Sequence, residues 1–251
     1  MDTYGLIGKK LGHSFSKAYF EKKFKSQQIN AQYLNFELDE IGQLKNIIKN
    51  YPELVGLNVT IPFKKSVMDF IDQMDEVAEK VGSVNTLKID RSGNEIFVSG
   101  YNTDVIGFEE TLKPLLSDRK SVAALILGTG GASNAVAFVL AKLGIPHVFV
   151  SRAPENSSHI SYKGLTPEMV KSHKLIINTS PVGMYPSMDE APDIPYTCLG
   201  EDHILYDLIY NPEETLFLNN GREKGATTMN GLKMLELQAE ASWNIWHSFG
   251  M

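Results

Sequence analysis

A glycine-rich turn between an apolar run and a segment with helical periodicity constrains this chain more than any other feature. Residues 122–127 are apolar, and the turn Gly128-Thr129-Gly130-Gly131-Ala132-Ser133 follows them directly. Helical periodicity extends over residues 135–143, and a second apolar run covers residues 147–150. An uninterrupted apolar run is typical of a buried parallel strand. The order therefore predicts strand, tight turn, helix and strand, which belong to an α/β fold with a parallel sheet.

The turn also has the composition of a phosphate-binding loop. Gly128 permits the tight turn, Gly130 lets the backbone approach a pyrophosphate, and amides at the helix start face the anion. Ser133 replaces the third glycine of the usual pattern, but it is small enough for close helix–strand packing. A glycine turn alone is a weak indication, since α/β proteins use such turns for other reasons. With its flanking strand and helix, it predicts the cofactor-binding residues Gly128, Thr129, Gly130, Gly131 and Ala132.

The end of the second predicted strand indicates which dinucleotide would bind. An NAD site usually has Asp or Glu there, which bonds the ribose 2′-hydroxyl. This chain has Ser151 and Arg152 instead, and an arginine can accommodate a 2′-phosphate. The sequence therefore predicts NADP(H) as the cofactor, with Ser151 and Arg152 as contacts. The alternative is that Arg152 is an ordinary solvated loop cation.

Composition narrows the classes of protein further. A length of 251 residues suggests roughly two domains. The net charge of -6, without a basic cluster, argues against nucleic acid as a partner. The single cysteine, Cys198, gives no disulfide within the chain and no metal-ligand spacing. No apolar run has the length of a membrane span, and no secretory signal is visible. These features predict a cytoplasmic α/β protein. A small-molecule substrate, a monomer or homodimer and no metal are further expectations that composition alone does not give.

Several polar residues lie where predicted strands end or helices begin in the first hundred residues. Ser14 and Ser16 precede or open a helix, so either could be its cap or could bind an anionic or polyhydroxy ligand. Asn58 and Thr60 share one face of a strand predicted over residues 54–61 and could bond within the core or to a ligand. Lys64 follows that strand, at the end where α/β sites gather, and a helix is predicted from Pro62 toward residue 71.

The remaining elements can be placed by the same reasoning. A hairpin is predicted from residues 86–89 and 95–98 with a turn at residues 90–93, followed by a helix over 105–116 that Thr103 or Asp104 could cap. Further strands are predicted over 174–180 and 204–210, and helices over 214–224 and 231–247. The first of these strands ends near Thr179 and Met184, at the expected nicotinamide end of the sheet. Gln238 is polar on an apolar stripe of the last helix, so it could bond to another helix or to a ligand.

Several motifs resemble those of the shikimate dehydrogenase family. They extend over nearly the whole chain and follow one another in the order that this family has. The most specific are Asn58-Val59-Thr60-Ile61-Pro62-Phe63-Lys64 and Asn102-Thr103-Asp104. The others are His13-Ser14-Phe15-Ser16, Gly82-Ser83-Val84-Asn85-Thr86, the glycine turn, Asn178-Thr179-Ser180-Pro181-Val182-Gly183-Met184, and Met234-Leu235 with Gln238.

This resemblance implies a fold, a reaction and a set of site residues. The implied fold is a substrate domain of residues 1–103 plus 231–251 and a Rossmann-type NADP-binding domain of residues 104–230, with the active site in the cleft between them. The implied reaction is reversible NADPH-dependent reduction of 3-dehydroshikimate to shikimate, in chorismate and aromatic amino-acid biosynthesis. Lys64 and Asp104 would be the catalytic pair. The implied substrate-binding residues are Ser14, Ser16, Asn58, Thr60, Asn85, Tyr210 and Gln238. Thr179 and Met184 would contact the cofactor.

Two departures from the family and two alternatives stay open. Lys10 and Lys17 stand where the family commonly has proline, which changes the stiffness and charge of the first loop. One alternative is a quinate/shikimate dehydrogenase with relaxed substrate or cofactor choice, against which Arg152 without a neighbouring acid argues. The other is a non-catalytic regulator that binds NADP(H) or shikimate, against which the presence of both Lys64 and Asp104 argues.

Overall fold

The strands form two separate sheets, and each sheet belongs to a different unit of the chain. The computed structural model describes residues 1–12, 14–93, 95–117, 121–154 and 158–248. The terminal unit comprises Met1–Ile106 with Gln238–Met251, and the central unit is Gly107–Leu237. The chain thus crosses from one unit to the other within a helix each time.

The terminal unit is built on a mixed sheet. Its strands are β1 (Asp2–Gly8), β2 (Ala31–Glu37), β3 (Leu54–Val59), β4 (Gln73–Met74), β5 (Thr86–Ser92) and β6 (Glu95–Tyr101). Its helices are α1 (Phe15–Gln27), α2 (Leu44–Asn50) and α3 (Glu76–Val81), to which the start of α4 (Asp104–Leu116) and most of α8 (Leu232–His247) add. Among the described residues the sheet order is β2-β1-β3-β5-β6-β4. β1 pairs in parallel with β2 and β3, whereas β5 runs antiparallel to β3 and β6.

Successive side chains of a strand point to opposite faces of a sheet, and two apolar clusters pack against this sheet. One contains Ile7, Leu57 and Val59, and the other contains Tyr4, Phe20 and Trp246. Gly56 lets α8 approach the sheet, since a Cβ at this position would overlap the indole of Trp246. The indole Nε1 donates to the Leu87 carbonyl at 2.9 Å. These contacts fix α8 on β3 and β5, and thereby place its polar residues beside the ends of those strands.

The central unit is a parallel sheet with helices. Its strands are β7 (Ala124–Leu127), β8 (His147–Ser151), β9 (His159–Ser161), β10 (Leu175–Asn178), β11 (Ile204–Asp207) and β12 (Thr227–Met229). Its helices are α5 (Gly131–Lys142), α6 (Pro167–Ser172) and α7 (Leu216–Arg222), together with most of α4. Among the described residues the sheet order is β12-β11-β10-β7-β8-β9, all parallel. This is the doubly wound Rossmann order, whose topological switch lies between β7 and β10.

The sequence predicts the central strands well and several connections badly. β7, β10 and β11 are buried along their whole length, as expected for strands covered on both faces. The stretch after Arg152, however, contains β9 and α6, where the sequence indicates only a polar connection. Thr166 caps α6, and a proline is its first residue, which together are a typical start signal of a helix. The helix is too short to show a clear helical periodicity in the sequence.

Two predictions in the terminal unit are wrong in detail. The helix expected from Pro62 is only a short 3-10 turn, Ser66–Phe70, because β3 ends at Val59 and the chain turns before it can coil. The hairpin is longer than predicted, since Asp90 pairs with Phe97 inside the ladder and is not part of the turn. Among the described residues, no helix is both long enough and apolar enough to cross a membrane.

Candidate active site

A lysine and an aspartate from different elements meet in the terminal unit. Lys64 Nζ donates to Asp104 Oδ2 at 2.6 Å. Only 16% of the lysine side chain and 9% of the aspartate side chain are exposed. Because this pair is mostly shielded from water, each charge interacts with the other more strongly than it would on an open surface. The two predicted catalytic side chains are therefore in direct contact.

The backbone around this pair is fixed by local hydrogen bonds. The Val84 amide donates to the Lys64 carbonyl at 2.8 Å, which ties the segment after β3 to the segment before β5. Asp104 is the first residue of α4, where the positive end of the helix dipole favours a carboxylate. Of the two predicted caps, Asp104 lies within the helix itself. The Val105 amide of the first turn donates to Asn102 Oδ1 at 3.4 Å.

Asn85 connects the aspartate to its surroundings. Its Nδ2 donates to Asp104 Oδ1 at 3.0 Å and to Gln238 Oε1 at 3.4 Å. Its Oδ1 accepts from the Thr103 amide at 2.7 Å. Asn85, Asp104 and Gln238 are all buried. One carboxylate oxygen thus faces the lysine and the other faces the asparagine, which holds the carboxylate in one orientation.

Behind Asn85 lies a buried polar network that sequence reasoning missed. Ser242 is fully buried and its Oγ lies 2.8 Å from Thr86 Oγ1 and 3.2 Å from Thr103 Oγ1. Asn58 Nδ2 donates to Ser242 at 2.9 Å, and Asn58 Oδ1 accepts from the Tyr33 hydroxyl at 2.8 Å. The spacing of Ser242 one helical turn after Gln238 is the signal in the sequence that would have found it.

The remaining predicted residues of this unit have mixed environments. Ser14 caps α1, since its Oγ accepts from the Lys17 amide at 3.2 Å, so the predicted capping role is confirmed for Ser14. Ser16 lies inside α1 and is buried, and Thr60 is half-buried just after β3. His13, which belongs to the first family motif, lies outside the described residues.

In the central unit, the glycine turn has the geometry of an anion site. Gly128 adopts a φ of 120°, and a Cβ there would lie 2.8 Å from Thr179 Oγ1, so glycine is required for the turn. Gly130 precedes α5 without a side-chain cap, and the space that its Cβ would occupy is open. Ser133 is fully buried and donates to the Gly130 carbonyl. A glycine turn that leads directly into the N-terminus of a helix is the usual geometry of a phosphate site.

The end of β8 contains the two residues predicted to discriminate between cofactors. Ser151 is buried, and its Oγ accepts from the Ala153 amide at 3.2 Å, which shapes the turn after the strand. Arg152 is exposed. Burial raises the pKa of the Tyr162 phenol, and the charge of Arg152 opposes this. An exposed guanidinium at this strand end suits a phosphate.

The loops after β10 and β11 contain the last predicted residues. Thr179 directly follows β10, and its Oγ1 donates to the Leu127 carbonyl at 2.9 Å, beside the glycine turn. Met184 is exposed, and Tyr210 is half-buried. The buried Asp207 at the end of β11 bonds to Asn178 and to Thr215, which caps α7. Sequence reasoning missed Asp207, whose position within an apolar strand was the available signal.

Together these features define a class of protein. A Rossmann-type sheet with a glycine turn that leads into a helix N-terminus suits a dinucleotide. A shielded ammonium–carboxylate pair can give or take a proton. A chain that combines the two is an oxidoreductase of the dinucleotide-dependent dehydrogenase class.

Comparison with known sequences is more specific. Residues 6–87 match the family model described as the shikimate dehydrogenase substrate binding domain. A shikimate dehydrogenase (NADP(+)) from Methanococcus vannielii is 36% identical over 98% of this chain and 91% of its own length. The chain belongs to the shikimate dehydrogenase family.

Solved structures agree with this assignment. A chorismate mutase/shikimate 5-dehydrogenase fusion protein from Clostridium acetobutylicum is 39% identical, with a TM-score of 0.86 over 100% of this chain and 92% of its own. Shikimate 5-dehydrogenase from Thermus thermophilus, in complex with NADP(H) and shikimate, is 27% identical, with a TM-score of 0.84 over 99% of this chain and 94% of its own.

Proposed function

We propose that this protein catalyses the reversible NADPH-dependent reduction of 3-dehydroshikimate to shikimate, a step of chorismate and aromatic amino-acid biosynthesis. The observation that carries the proposal is the contact between Lys64 Nζ and Asp104 Oδ2 in a chain of this family. The relatives named above support the choice of substrate and cofactor. They also favour this reaction over a regulator without activity.

The lysine–aspartate pair supplies the proton chemistry that a ketone reduction requires. When bound, NADPH supplies a hydride to the carbonyl carbon. The carbonyl oxygen then needs a proton, which the Lys64 ammonium can donate while its charge polarises the carbonyl beforehand. The hydrogen bond to Asp104 limits the directions in which the N–H groups of the lysine can point. In the oxidising direction the pair accepts the proton from the substrate hydroxyl.

Polar groups near this pair suit a substrate with several hydroxyls and a carboxylate. We assign Asn85, Thr60, Ser14, Ser16, Asn58 and Gln238 to substrate binding, and we assign Tyr210 to it as well. Asn85 bonds to Asp104 and to the buried Gln238, so both amides lie near the pair and can exchange a partner for a substrate hydroxyl. A substrate lacking that hydroxyl would lose this hydrogen bond, which is worth about 0.5–1.5 kcal/mol. This is the physical basis for selectivity among polyhydroxy acids.

The central unit fits NADP(H) better than NAD(H). The backbone of the glycine turn and the first amides of α5 would hold the pyrophosphate, because the helix start has no side-chain cap. Arg152 is exposed at the end of β8 and would pair with the 2′-phosphate. Thr179 and Met184 would hold the remainder of the cofactor. Ser151 shapes the turn that presents the arginine.

The decisive experiment measures NADP⁺ reduction by the purified protein with shikimate, beside quinate and beside NAD⁺. We expect the highest kcat/KM for shikimate with NADP⁺. Comparable rates with quinate would instead support a quinate/shikimate dehydrogenase with relaxed choice. Binding of shikimate and NADP⁺ by calorimetry, without turnover in either direction, would support the non-catalytic regulator. The cytoplasmic location and the choice between monomer and homodimer stay predictions.

A further inference from the structure

Asp207 is a buried carboxylate that the proposed reaction does not use. It is the last residue of β11 and has no exposed surface. Its neighbours in that strand are apolar or aromatic and equally buried. A carboxylate in such a place is unfavourable unless hydrogen bonds replace the lost water. Its contacts therefore call for a functional explanation.

The carboxylate accepts hydrogen bonds from three different segments. Oδ2 accepts from the Thr215 hydroxyl at 2.6 Å, at the start of α7. Oδ1 accepts from the Ile209 amide at 3.0 Å and from Asn178 Nδ2 at 3.1 Å. Asp207 thus joins the loop after its own strand, the first turn of α7 and the end of the neighbouring strand β10.

Asn178 passes this constraint on to the loop after β10. Its Nδ2 also donates to the Val182 carbonyl at 3.2 Å. Its Oδ1 accepts from the Ser180 amide at 3.1 Å and from the Ser180 hydroxyl at 2.7 Å. The Ser180 Oγ in turn accepts from the Val182 amide at 3.3 Å. These bonds close a tight turn, and the two residues we assign to the cofactor, Thr179 and Met184, lie at its two ends.

The bond to Ile209 constrains the second loop in the same way. The residue after Ile209 is Tyr210, which we assign to the substrate. A single carboxylate therefore fixes the backbone on both loops that follow the adjacent strands β10 and β11. Both loops follow the carboxyl ends of parallel strands, where ligands of Rossmann-type sheets bind.

We propose that Asp207 is a positioning residue that, through Asn178 and the Ile209 amide, holds the loops bearing Thr179, Met184 and Tyr210 in their ligand-binding conformation. The inference rests on the proposed function of these three residues. It assigns Asp207 no contact with substrate or cofactor. Burial raises the pKa of Asp207 to about 6, so the group is still mainly ionised at neutral pH and accepts all its hydrogen bonds there.

The test compares four variants by calorimetric NADP⁺ binding, steady-state kinetics and thermal unfolding. Asp207→Ala removes the acceptor, and Asn178→Ala breaks the connection to the loop without touching α7. Asp207→Asn can keep an oxygen toward Asn178 and Ile209 and turn its amide toward the Thr215 hydroxyl, so it is the conservative rescue. Thr166→Ala is the matched control, because it removes a helix cap of the same unit, that of α6, away from these loops.

We expect Asp207→Ala and Asn178→Ala to weaken NADP⁺ binding and to raise the KM for NADP⁺ by about tenfold, since small displacements of binding groups have effects of this size. Asp207→Asn should recover most of the affinity. Thr166→Ala should lower only the unfolding temperature. The inference is overturned if Asp207→Ala and Asn178→Ala unfold at lower temperature but bind NADP⁺ as the wild type does. If the wild type itself does not bind NADP⁺, the proposed function fails and this inference fails with it.

Discussion

The two candidate binding regions of this protein are built on different principles. In the terminal unit the site consists of side chains, and Lys64, Asp104 and Asn85 are buried or nearly so and bonded to each other. In the central unit the glycine turn offers backbone amides, and its first helix has no side-chain cap. The first region is therefore a network of side chains bonded to one another, whereas the second is a backbone turn at the start of a helix.

This difference follows from what each region has to do. Proton transfer needs groups that ionise, and only side chains supply them. An ammonium and a carboxylate that are largely removed from water need partners to remain charged. Phosphate binding needs several N–H donors directed at one place, which a helix N-terminus supplies without any ionisable group. We therefore expect substitutions to affect turnover in the first region and cofactor affinity in the second.

The largest expected effect is on Lys64. Lys64→Ala removes the proton donor, so kcat should fall by about 10²–10⁴-fold, the usual contribution of a general acid or base. Binding of NADP⁺ should change little, because the lysine is not among the residues that we assign to the cofactor. Steady-state kinetics and calorimetry measure the two effects separately.

Lys65→Ala is the matched control for this variant, because Lys65 is the adjacent residue and is exposed. Its kcat should stay within about twofold of the wild type, as for most surface substitutions. Equal kcat values for the two variants would show that Lys64 has no catalytic role. The contrast between the two regions would then not hold.

The next effect concerns Arg152. Arg152→Ala should raise the KM for NADP⁺ by about 10–100-fold, the equivalent of a charge-assisted hydrogen bond. The KM for NAD⁺ should stay nearly constant, because NAD⁺ lacks the 2′-phosphate. NAD⁺ therefore serves as an internal control in the same kinetic experiment. A parallel rise in both KM values would show that the arginine acts on the loop and not on the phosphate.

Two glycines of the same turn allow a finer test of the backbone site. Gly128→Ala should lower the free energy of unfolding by about 1–3 kcal/mol, since φ is 120° and the new Cβ would lie 2.8 Å from Thr179 Oγ1. Gly130→Ala should cost less than about 1 kcal/mol, because φ is -80° and the space around it is open. Both should weaken NADP⁺ binding. Denaturant unfolding and calorimetry would distinguish stability from affinity, and equal stability losses would contradict the described turn.

The smallest expected effect is a pH dependence of stability from Asp207. Burial raises its pKa from 3.8 to about 6, so the folded state binds a proton in a range where the unfolded state does not. The contribution of Asp207 to the free energy of unfolding should therefore increase by about 1 kcal/mol as the pH falls from 7 to 5. Asp207→Asn should lack this increase in a denaturant titration at both pH values.

The other groups near Asp207 do not change this expectation. Among the described residues, the titratable group that senses its charge is the phenol of Tyr196, and burial raises the pKa of that phenol far above this range. The hydrogen-bond partners of Asp207 named above, Asn178, Thr215 and the Ile209 amide, are neutral groups. An equal pH dependence in the wild type and in Asp207→Asn would assign the effect to another part of the molecule.

The sequence by itself determined the elements whose signals are local. The strand, glycine turn, helix and second strand of the central unit lie within about thirty residues, so periodicity and turn chemistry were enough to identify them. Arg152 was found in the same way, from its place at the end of a strand. The roles of individual residues in the terminal unit came from the resemblance to the family, and they stay predictions beyond the contacts described.

The tertiary structure alone decided which distant side chains meet. Lys64 and Asp104 are 40 residues apart and Asn85 and Gln238 are 153 apart, yet each pair is in hydrogen-bond contact. Ser242 and Asp207 acquire their importance only from partners that folding brings to them. No local sequence pattern predicts such contacts, because they depend on how strands are ordered in a sheet and on where a helix packs against it.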